Sequence, residues 1–328
     1  MFSKTGTVLM VTAGALLFLG GVYGYLIKSQ SPIVRERTLI LEETPVSEGD
    51  ASSVQSPITL LFGGDMMFDR YIRTTMRNSG DFPLAPLRET LEGADLVVAN
   101  LEGPITDNAS ISETSTIGAR ENYAFTFDPF VATLLKQNHI DAVNLGNNHS
   151  LNFGEEGVSQ TKQFLSEAGV EYFGSPLAGD QRMLMREVKG VKVALVNYNQ
   201  FVWQGKEKAL ADIAEAKGEA DVVILYTHWG TEYVPATESV KTLAHQFIDA
   251  GADLIIGSHP HVVQETEVYR GRTIYYSLGN LVFDQYFSPE TTKGILLRAM
   301  LDPETKNFSF EEMSVILKNS GQTVLTQP

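Results

Sequence analysis

Short apolar runs alternate with segments of helical pattern from Ile58 to about Leu317. Runs rich in Val, Ile and Leu that close on Gly or Asn are typical of strands buried on both faces of a sheet. Because strand-like and helical segments alternate along the chain, the pattern predicts parallel βαβ units and an α/β fold. The helical segments fall at residues 130–137, 155–168, 205–217 and 238–250.

Other segments break this alternation. Residues 182–199 and 265–276 are each interrupted by a glycine turn and predict antiparallel hairpins. Gly294–Met300 and Phe308–Leu317 predict strands that close the domain. Residues 104–123 are rich in Ser, Thr and Asn without a clear period, and we interpret them as either a binding loop or an ordinary surface excursion.

The N-terminal part of the chain has a different character. Residues 7–27 carry no charge, and at about 1.5 Å per residue they span the roughly 30 Å hydrocarbon core of a bilayer. They predict a retained transmembrane anchor, with a cleavable signal peptide as the alternative. Residues 1–6 form a short tail, residues 28–57 a flexible linker and residues 319–328 a C-terminal tail. The flanking charges do not decide the orientation in the membrane.

The composition and length of the chain restrict its possible metal ligands, binding partners and domain size. The 328-residue chain has no cysteine, which excludes disulfides and thiolate metal sites and leaves His, Asn and carboxylate as metal ligands. The formal charge of −15 argues against non-specific nucleic-acid binding, because such binding needs a basic face. The segment after the linker is about 260 residues long, enough for one large domain with a substantial core.

Six of the apolar runs end on residues that can bind a metal or move a proton. Since the ligand site of an open α/β sheet lies outside the carboxyl ends of its strands, we expect these residues to meet at one rim. They are Asp65; Asn100 and Glu102; Asn147, Asn148 and His149; His228; His259 and His261; and Asn280. Carboxylates, amides and four histidines at one rim indicate a metal-dependent active site.

The His-Pro-His unit is the strongest candidate for metal ligation. His259 and His261 are two residues apart, so both would project to one side of an extended backbone. Pro260 between them restricts φ and limits the loss of order on binding. Neutral imidazole is the commonest protein ligand for Zn, Mn or Fe.

The other strand ends admit two interpretations each. Asp65 follows Gly63-Gly64, which would let the backbone turn sharply, and it is either a hard anionic ligand or the N-cap of a helix beginning at Met66. Glu102 either coordinates metal, as a bridging carboxylate between two cations would, or binds a loop. Residues 147–149 combine a metal-binding amide with a proton donor, or form a turn that tolerates positive φ.

Six motifs together resemble one protein family. They are GGDMMF, NLEGPIT, NLGNNHSLNFG, THWGTEY, GSHPHVVQ and SLGNLVFDQ. In this order they are similar to the CapA family, named for poly-γ-glutamate capsule biosynthesis, which resembles the calcineurin-like metallophosphatases. The resemblance runs from about Ile58 to Phe310. It implies a metallophosphatase-like αββα sandwich over residues 58–318, preceded by one N-terminal transmembrane helix that holds it at the outer face of the cell membrane.

The resemblance also implies roles for the strand-end residues, with a divalent cation (Mn, Zn or Fe) as cofactor. The metal ligands would be Asp65, Glu102 as the bridging carboxylate, Asn148, His228, His259 and His261. His149 would be the catalytic acid or transition-state stabiliser. We place Asn100, Asn147 and Asn280 around the ligands or the substrate. Metallophosphatases usually show Asp-x-His on the first strand, but Met67 stands at the third position here, so one ion and two ions both stay open.

Two functions follow from these features. The first is a membrane-anchored metal-dependent hydrolase of capsule biosynthesis, which would act on a phosphoester or on an amide bond of a polyglutamate-type polymer. The second is a non-catalytic structural subunit of a capsule polymer synthesis or export complex. The expected partners are the membrane, capsule synthesis or export subunits and an anionic polymer, with no nucleic acid.

Overall fold

The computed structural model describes residues 56–79, 83–177 and 179–326. The predicted anchor at residues 7–27 and the linker up to residue 55 lie outside the described residues. Within the described ranges, no helix has both the length and the apolar character needed to cross a membrane.

Helices and strands alternate along most of the described chain. The helices are α1 (Arg70–Ser79), α2 (Arg88–Glu92), α3 (Phe130–Gln137), α4 (Gly154–Ala168), α5 (Gly205–Glu219) and α6 (Glu238–Ala250). The first seven strands are β1 (Ile58–Met66), β2 (Leu96–Leu101), β3 (Ala142–Asn144), β4 (Glu171–Phe173), β5 (Met183–Val188), β6 (Val191–Asn199) and β7 (Val222–His228). The others are β8 (Leu254–Ser258), β9 (Thr266–Tyr269), β10 (Arg272–Tyr275), β11 (Asn280–Val282), β12 (Lys293–Leu301), β13 (Phe308–Leu317) and β14 (Thr323–Leu325). All four predicted helices are confirmed, two of them with the predicted bounds.

The strands form two mixed sheets. The first has the order β14-β13-β12-β1-β2-β3-β4, with β11 also paired to β1. Strands β1 to β4 are parallel to one another, whereas β12, β13 and β14 run antiparallel to their neighbours. The second has the order β5-β6-β7-β8-β10-β9, with a parallel centre and antiparallel hairpins at both edges. Both predicted hairpins and both predicted closing strands are confirmed.

Three apolar clusters arrange these elements in layers. One cluster contains Leu60 and Leu297 from the first sheet together with Ile224 and Ile256 from the second, so the two sheets pack face to face. A second cluster joins the first sheet to α1 and α3. A third joins the second sheet to α5 and α6. The central strands are apolar throughout because each is covered by a sheet on one face and by helices on the other. The fold is therefore a mixed α/β architecture built on two sheets, as predicted.

The glycine pair before Asp65 has a different role from the one predicted. Gly63 and Gly64 lie inside β1, which continues to Met66, and the next helix begins only at Arg70. A Cβ atom on Gly64 would lie 1.8 Å from the carbonyl oxygen of Gly279. The pair is therefore needed because the backbone that leads into β11 approaches β1 closely, and Asp65 does not cap a helix.

Candidate metal centre

Strand register brings four polar residues of the first sheet into one row. Asp65 pairs with Asn280 on one side and with Asn100 on the other, and Asn100 pairs with Asn144. All four side chains are buried. Asn100 donates its Nδ2 to Asp65 Oδ1 at 2.8 Å and accepts from Asn144 Nδ2 at 2.9 Å. The row fixes the orientation of the Asp65 carboxylate.

The second sheet contributes a matching row. His228 at the end of β7 pairs in register with Asn199 of β6 and with Ser258 of β8. His259 and His261 follow directly after β8. The His259 backbone N–H donates to Asp65 Oδ2 at 3.0 Å, which joins the two rows across the sheets.

Glu102 lies where the two rows meet. Its side chain is fully buried, and neither carboxylate oxygen has a hydrogen-bond partner among the described residues. His261 Nε2 lies 3.5 Å from Glu102 Oε1, and His149 Nε2 lies 3.8 Å from it. A buried carboxylate without donors is costly unless a cation compensates it, so this residue fits a metal ligand.

Two potential ligand groups share this carboxylate. Glu102, His259 and His261 form one group, and Asp65, Glu102 and His228 form the other; within each, the ligand atoms lie within 4.8 Å of one another. His259 Nδ1 is also buried without a partner. The donor set of imidazole and carboxylate suits Mn, Zn or Fe.

The partners of His261 determine which ring nitrogen is free. Nδ1 lies 3.0 Å from Asn280 Oδ1, while Asn280 Nδ2 donates to Thr291 O at 2.9 Å and to Gln285 Oε1 at 3.1 Å. Because Nδ2 is the donor, Oδ1 must accept from Nδ1–H of His261. Nε2 then keeps its lone pair toward Glu102, as a ligand whose other nitrogen is anchored.

Asn148 and His228 converge on one point. Asn148 Oδ1 and His228 Nε2 are 2.7 Å apart, which places two ligand-type atoms side by side. On its other edge, His228 Nδ1 lies 3.0 Å from Ser258 Oγ and 3.3 Å from Asn100 Nδ2.

Asn147 has a structural role in the turn. Its Nδ2 donates to Leu101 O at 2.8 Å, and its Oδ1 accepts from the His149 backbone N–H at 3.1 Å and from Ser150 Oγ at 3.0 Å. These contacts hold the turn that presents Asn148 and His149 to the centre.

His149 is held on the edge of the centre. Its Nδ1 lies 3.0 Å from Asn152 Oδ1, which also accepts from the Phe125 backbone N–H at 2.8 Å. Its ring packs on Phe125 with the centroids 4.4 Å apart. Nδ1 therefore carries the proton, and Nε2 faces Glu102 as an acceptor.

The two carboxylates differ in protonation. Burial acts to raise the pKa of Asp65, but the hydrogen bond from His261, the favourable electrostatic interactions with His261 and His228, and the His259 N–H outweigh burial and lower that pKa below its usual range. Burial raises the pKa of Glu102 well above its ordinary value, and the negative charge of Asp65 raises it further. Asp65 is thus anionic without a metal, whereas the protonated form of Glu102 is favoured unless a cation lies beside it.

Burial favours the neutral form of three histidines of the centre. Burial lowers the pKa of His228 well below its ordinary value, and burial lowers the pKa of His149 and of His259 to about 4. Neutral imidazole is the form that binds metals.

The backbone at the His-Pro-His unit is not extended as predicted. His259 has φ +95° and His261 has φ +56°, both in the left-handed region that non-glycine residues rarely adopt. The two rings face the centre because of this strained turn, not because of strand alternation. Strain of this kind is typical of functional sites.

Met67 takes no part in the centre. It packs in the apolar cluster beneath the first sheet, and its sulfur accepts from the Asp69 backbone N–H at 3.0 Å. The two ligand groups form without it because Glu102 belongs to both.

Sequence reasoning missed three residues of the site. Ser258 and Asn144 anchor His228 and Asn100, and their positions as the last residues of β8 and β3 were the signal that could have identified them. Arg70 is the first residue of α1, four positions after the end of β1, and has φ +50°. Its guanidinium lies 5.0 Å from the ring centroid of Phe125 and is hydrogen-bonded to Asp284.

Comparison with known proteins identifies the family. Residues 59–285 match the profile of the family described as "Bacterial capsule synthesis protein PGA_cap". The chain is 31% identical over 245 residues to the "PGA biosynthesis protein CapA" of Bacillus subtilis, covering 68% of this chain and 63% of that relative. It is 31% identical over 256 residues to the "Capsule biosynthesis protein CapA" of Bacillus anthracis, covering 70% and 60%. The chain therefore spans about 60% of the length of these relatives.

One solved structure supports the fold. A hypothetical protein from Thermus thermophilus aligns with a TM-score of 0.50 at 19% identity, covering 78% of this chain and 98% of that one.

Proposed function

Because this chain belongs to the bacterial capsule synthesis protein family, we propose that it is a metal-dependent hydrolase with the centre around Glu102 as its active site. One observation carries the proposal: a fully buried carboxylate with two unpartnered oxygens is shared by two ligand groups. A role in folding alone gives no reason to bury such a group, since an apolar residue of similar size would cost less.

We assign two cation positions to the centre. Asp65, His228 and Asn148 would hold one ion, His259 and His261 the other, and Glu102 would contact both. A divalent cation in such a site supplies Lewis-acid polarisation of a substrate oxygen and lowers the pKa of water.

His149 would move the proton. Its Nε2 faces the centre as an acceptor because Nδ1 is engaged by Asn152. A neutral imidazole in this position can take a proton from the attacking water and return it to the leaving oxygen or nitrogen. Asn152 and Phe125 hold the ring in place during both transfers.

The names of the relatives support a proposal for the substrate class. The relatives are named for PGA and capsule biosynthesis, so we propose a phosphoester or an amide bond of a capsule polymer or its precursor as the bond that is cleaved. We also propose that residues 7–27 anchor the chain in the cell membrane with the domain on the extracytoplasmic side, where it would meet the polymer and other capsule subunits.

The test is turnover by the full chain after metal removal and addition of Mn, Zn or Fe one at a time. The substrates are a phosphodiester panel and polyglutamate. We expect turnover that depends on added metal and that falls at least about 100-fold in His259→Ala. His245→Ala is the matched control, because His245 pairs with Glu267 at 2.7 Å away from the centre. Metal binding without turnover on any substrate would contradict the hydrolase and favour a non-catalytic capsule subunit.

A further inference from the structure

A cavity of about 490 Å³ lies beside the metal centre and has no role in the chemistry above. Its wall includes Gly174, Ser175, Asn197, Asn199, Gly205 and Lys208. Two connections place it next to the centre. Asn199 is the register partner of His228, and Asn197 Nδ2 donates to Asn144 Oδ1 at 2.9 Å. Neighbouring strands are about 4.8 Å apart, so the cavity wall lies roughly one strand spacing from a metal ligand.

Asn199 presents an unused donor at this wall. The residue is 3% exposed, and its Oδ1 accepts from the Phe201 backbone N–H at 2.9 Å. That bond fixes which amide atom is the oxygen, and it leaves Nδ2 without a partner among the described residues. Buried amide donors are normally paired, so we expect a hydrogen-bond acceptor of a ligand to bind Asn199 Nδ2.

The first turn of α5 adds positive potential. Gly205 is the first residue of the helix, and a Cβ atom there would lie 2.3 Å from Asn199 O. The start of α5 therefore packs closely on Asn199. The N-terminus of a 15-residue helix attracts anions through its free N–H groups and dipole. Lys208 lies in this turn and is exposed, and its positive charge also acts on the carboxylate of Asp212 one turn further along the helix.

Each acidic residue of the cavity lies beside a cation, although Asp212 Oδ1 accepts no hydrogen bond among the described residues. Asp212 lies 2.8 Å from Arg182 Nη1, and Asp180 lies 2.5 Å from Lys162 Nζ. Apart from Asp212 Oδ1, the polar groups that line the cavity include a helix N-terminus, an ammonium and an amide N–H, and these three favour an anion.

We propose that this cavity is a subsite for a carboxylate or phosphate group, and that the substrate carries this second acidic group roughly 5–10 Å from the bond cleaved at the metal centre. The inference rests on the proposed function for the identity of the neighbouring site. The anion site itself follows from the cavity alone. In a chain of net charge −15, such a local anion site would select ligands that the rest of the surface repels.

The test measures binding of inorganic phosphate and, separately, of glutarate to the metal-stripped full chain by isothermal titration calorimetry. Asn199→Asp keeps the acceptor for Phe201 but replaces the free donor with a charged oxygen, and Lys208→Met removes the ammonium. We expect one bound anion per chain and a loss of affinity of at least tenfold in each variant. Lys206→Met, an exposed lysine of the same turn that does not line the cavity, should bind as the unmodified chain does.

Tighter binding of glutarate than of phosphate would identify a carboxylate subsite, and the reverse a phosphate subsite. No binding, or equal binding by all variants, would overturn the proposal. Because the chain is stripped of metal, this result does not depend on turnover. If no anion binds, the proposed hydrolase activity is not contradicted. If no turnover is found, the proposed anion site is not contradicted. Because Lys208 is exposed, Lys208→Met tests the site even if Asn199→Asp folds poorly.

Discussion

Replacing Glu102 with Gln should stabilise the metal-free chain and destabilise the metal-loaded chain. The carboxylate is fully buried with two unpartnered oxygens, and burial and Asp65 raise its pKa well above the ordinary value. An unsatisfied buried polar group costs roughly 1–3 kcal/mol, and more when it is charged. Gln keeps the shape and still buries polar atoms, so we expect a net gain of about 2 kcal/mol in the free energy of unfolding.

Thermal unfolding of the full chain at pH 7 measures this gain. A change of about 2 kcal/mol corresponds to a rise in Tm of roughly 4–8 °C for a domain of this size. Metal at 100 times its Kd should stabilise the unmodified chain by about 2.7 kcal/mol, and the variant should lose most of that response. Glu219→Gln, an exposed residue at the end of α5, should change neither value.

The pH dependence provides an internal check. The pKa of the Glu102 carboxyl is higher in the folded state than the ordinary value of 4.5 that it has in the unfolded state. Its ionisation therefore does not change the free energy of unfolding below pH 4.5, and lowers that free energy increasingly as the pH rises above 4.5. The difference between Glu102→Gln and the unmodified metal-free chain should therefore vanish below about pH 4.5. A variant that is less stable without metal, or that responds to metal like the unmodified chain, would refute this reasoning.

Three further predictions concern the same centre. His149→Ala should lower kcat by roughly 100- to 10,000-fold with unchanged metal content, measured by turnover and elemental analysis; a loss of metal instead would make His149 a ligand. The metal-free chain should lose stability as pH falls from about 6.5 toward 4, by about 3 kcal/mol each for His149 and His259, because the unfolded state binds protons that the folded state excludes. Denaturant titrations at several pH values check this, and a flat profile would contradict it. Asn100→Leu should weaken metal binding by roughly 10- to 100-fold in a calorimetric titration, since Asp65 loses the donor that orients it, and unchanged affinity would show that the row of amides is dispensable.

Much of the centre could be predicted because strand ends are readable in a sequence. Asp65 and His228 each follow an apolar run, and parallel strands bring their carboxyl ends to one rim. Four of the six described α-helices were predicted for a similar reason, since an amphipathic period is a local property.

What could not be predicted depends on contacts between distant segments. The glycine pair is needed because the backbone at residue 279 lies close to Gly64. No sequence feature near Gly64 indicates this contact. The left-handed turn at His259 and His261 is strained, and the surrounding structure imposes it against local preference. Arg70 was not predicted as a residue of the site because a single arginine after a strand carries no periodic signal.

The shared carboxylate is also a product of the tertiary structure. The motif around Glu102 indicates a ligand, but only the meeting of both sheets gives it two neighbouring ligand groups. Met67 follows the last residue of β1, and its side chain packs in the apolar core.

We propose that Glu102 contacts two cations. Anomalous diffraction from crystals of the chain loaded with Mn or Zn tests it directly. The proposal predicts two peaks about 3.5–4 Å apart with the Glu102 carboxylate between them, one beside Asp65 and His228 and the other beside His259 and His261. A chain that binds no metal, or that binds only a single ion, would contradict it.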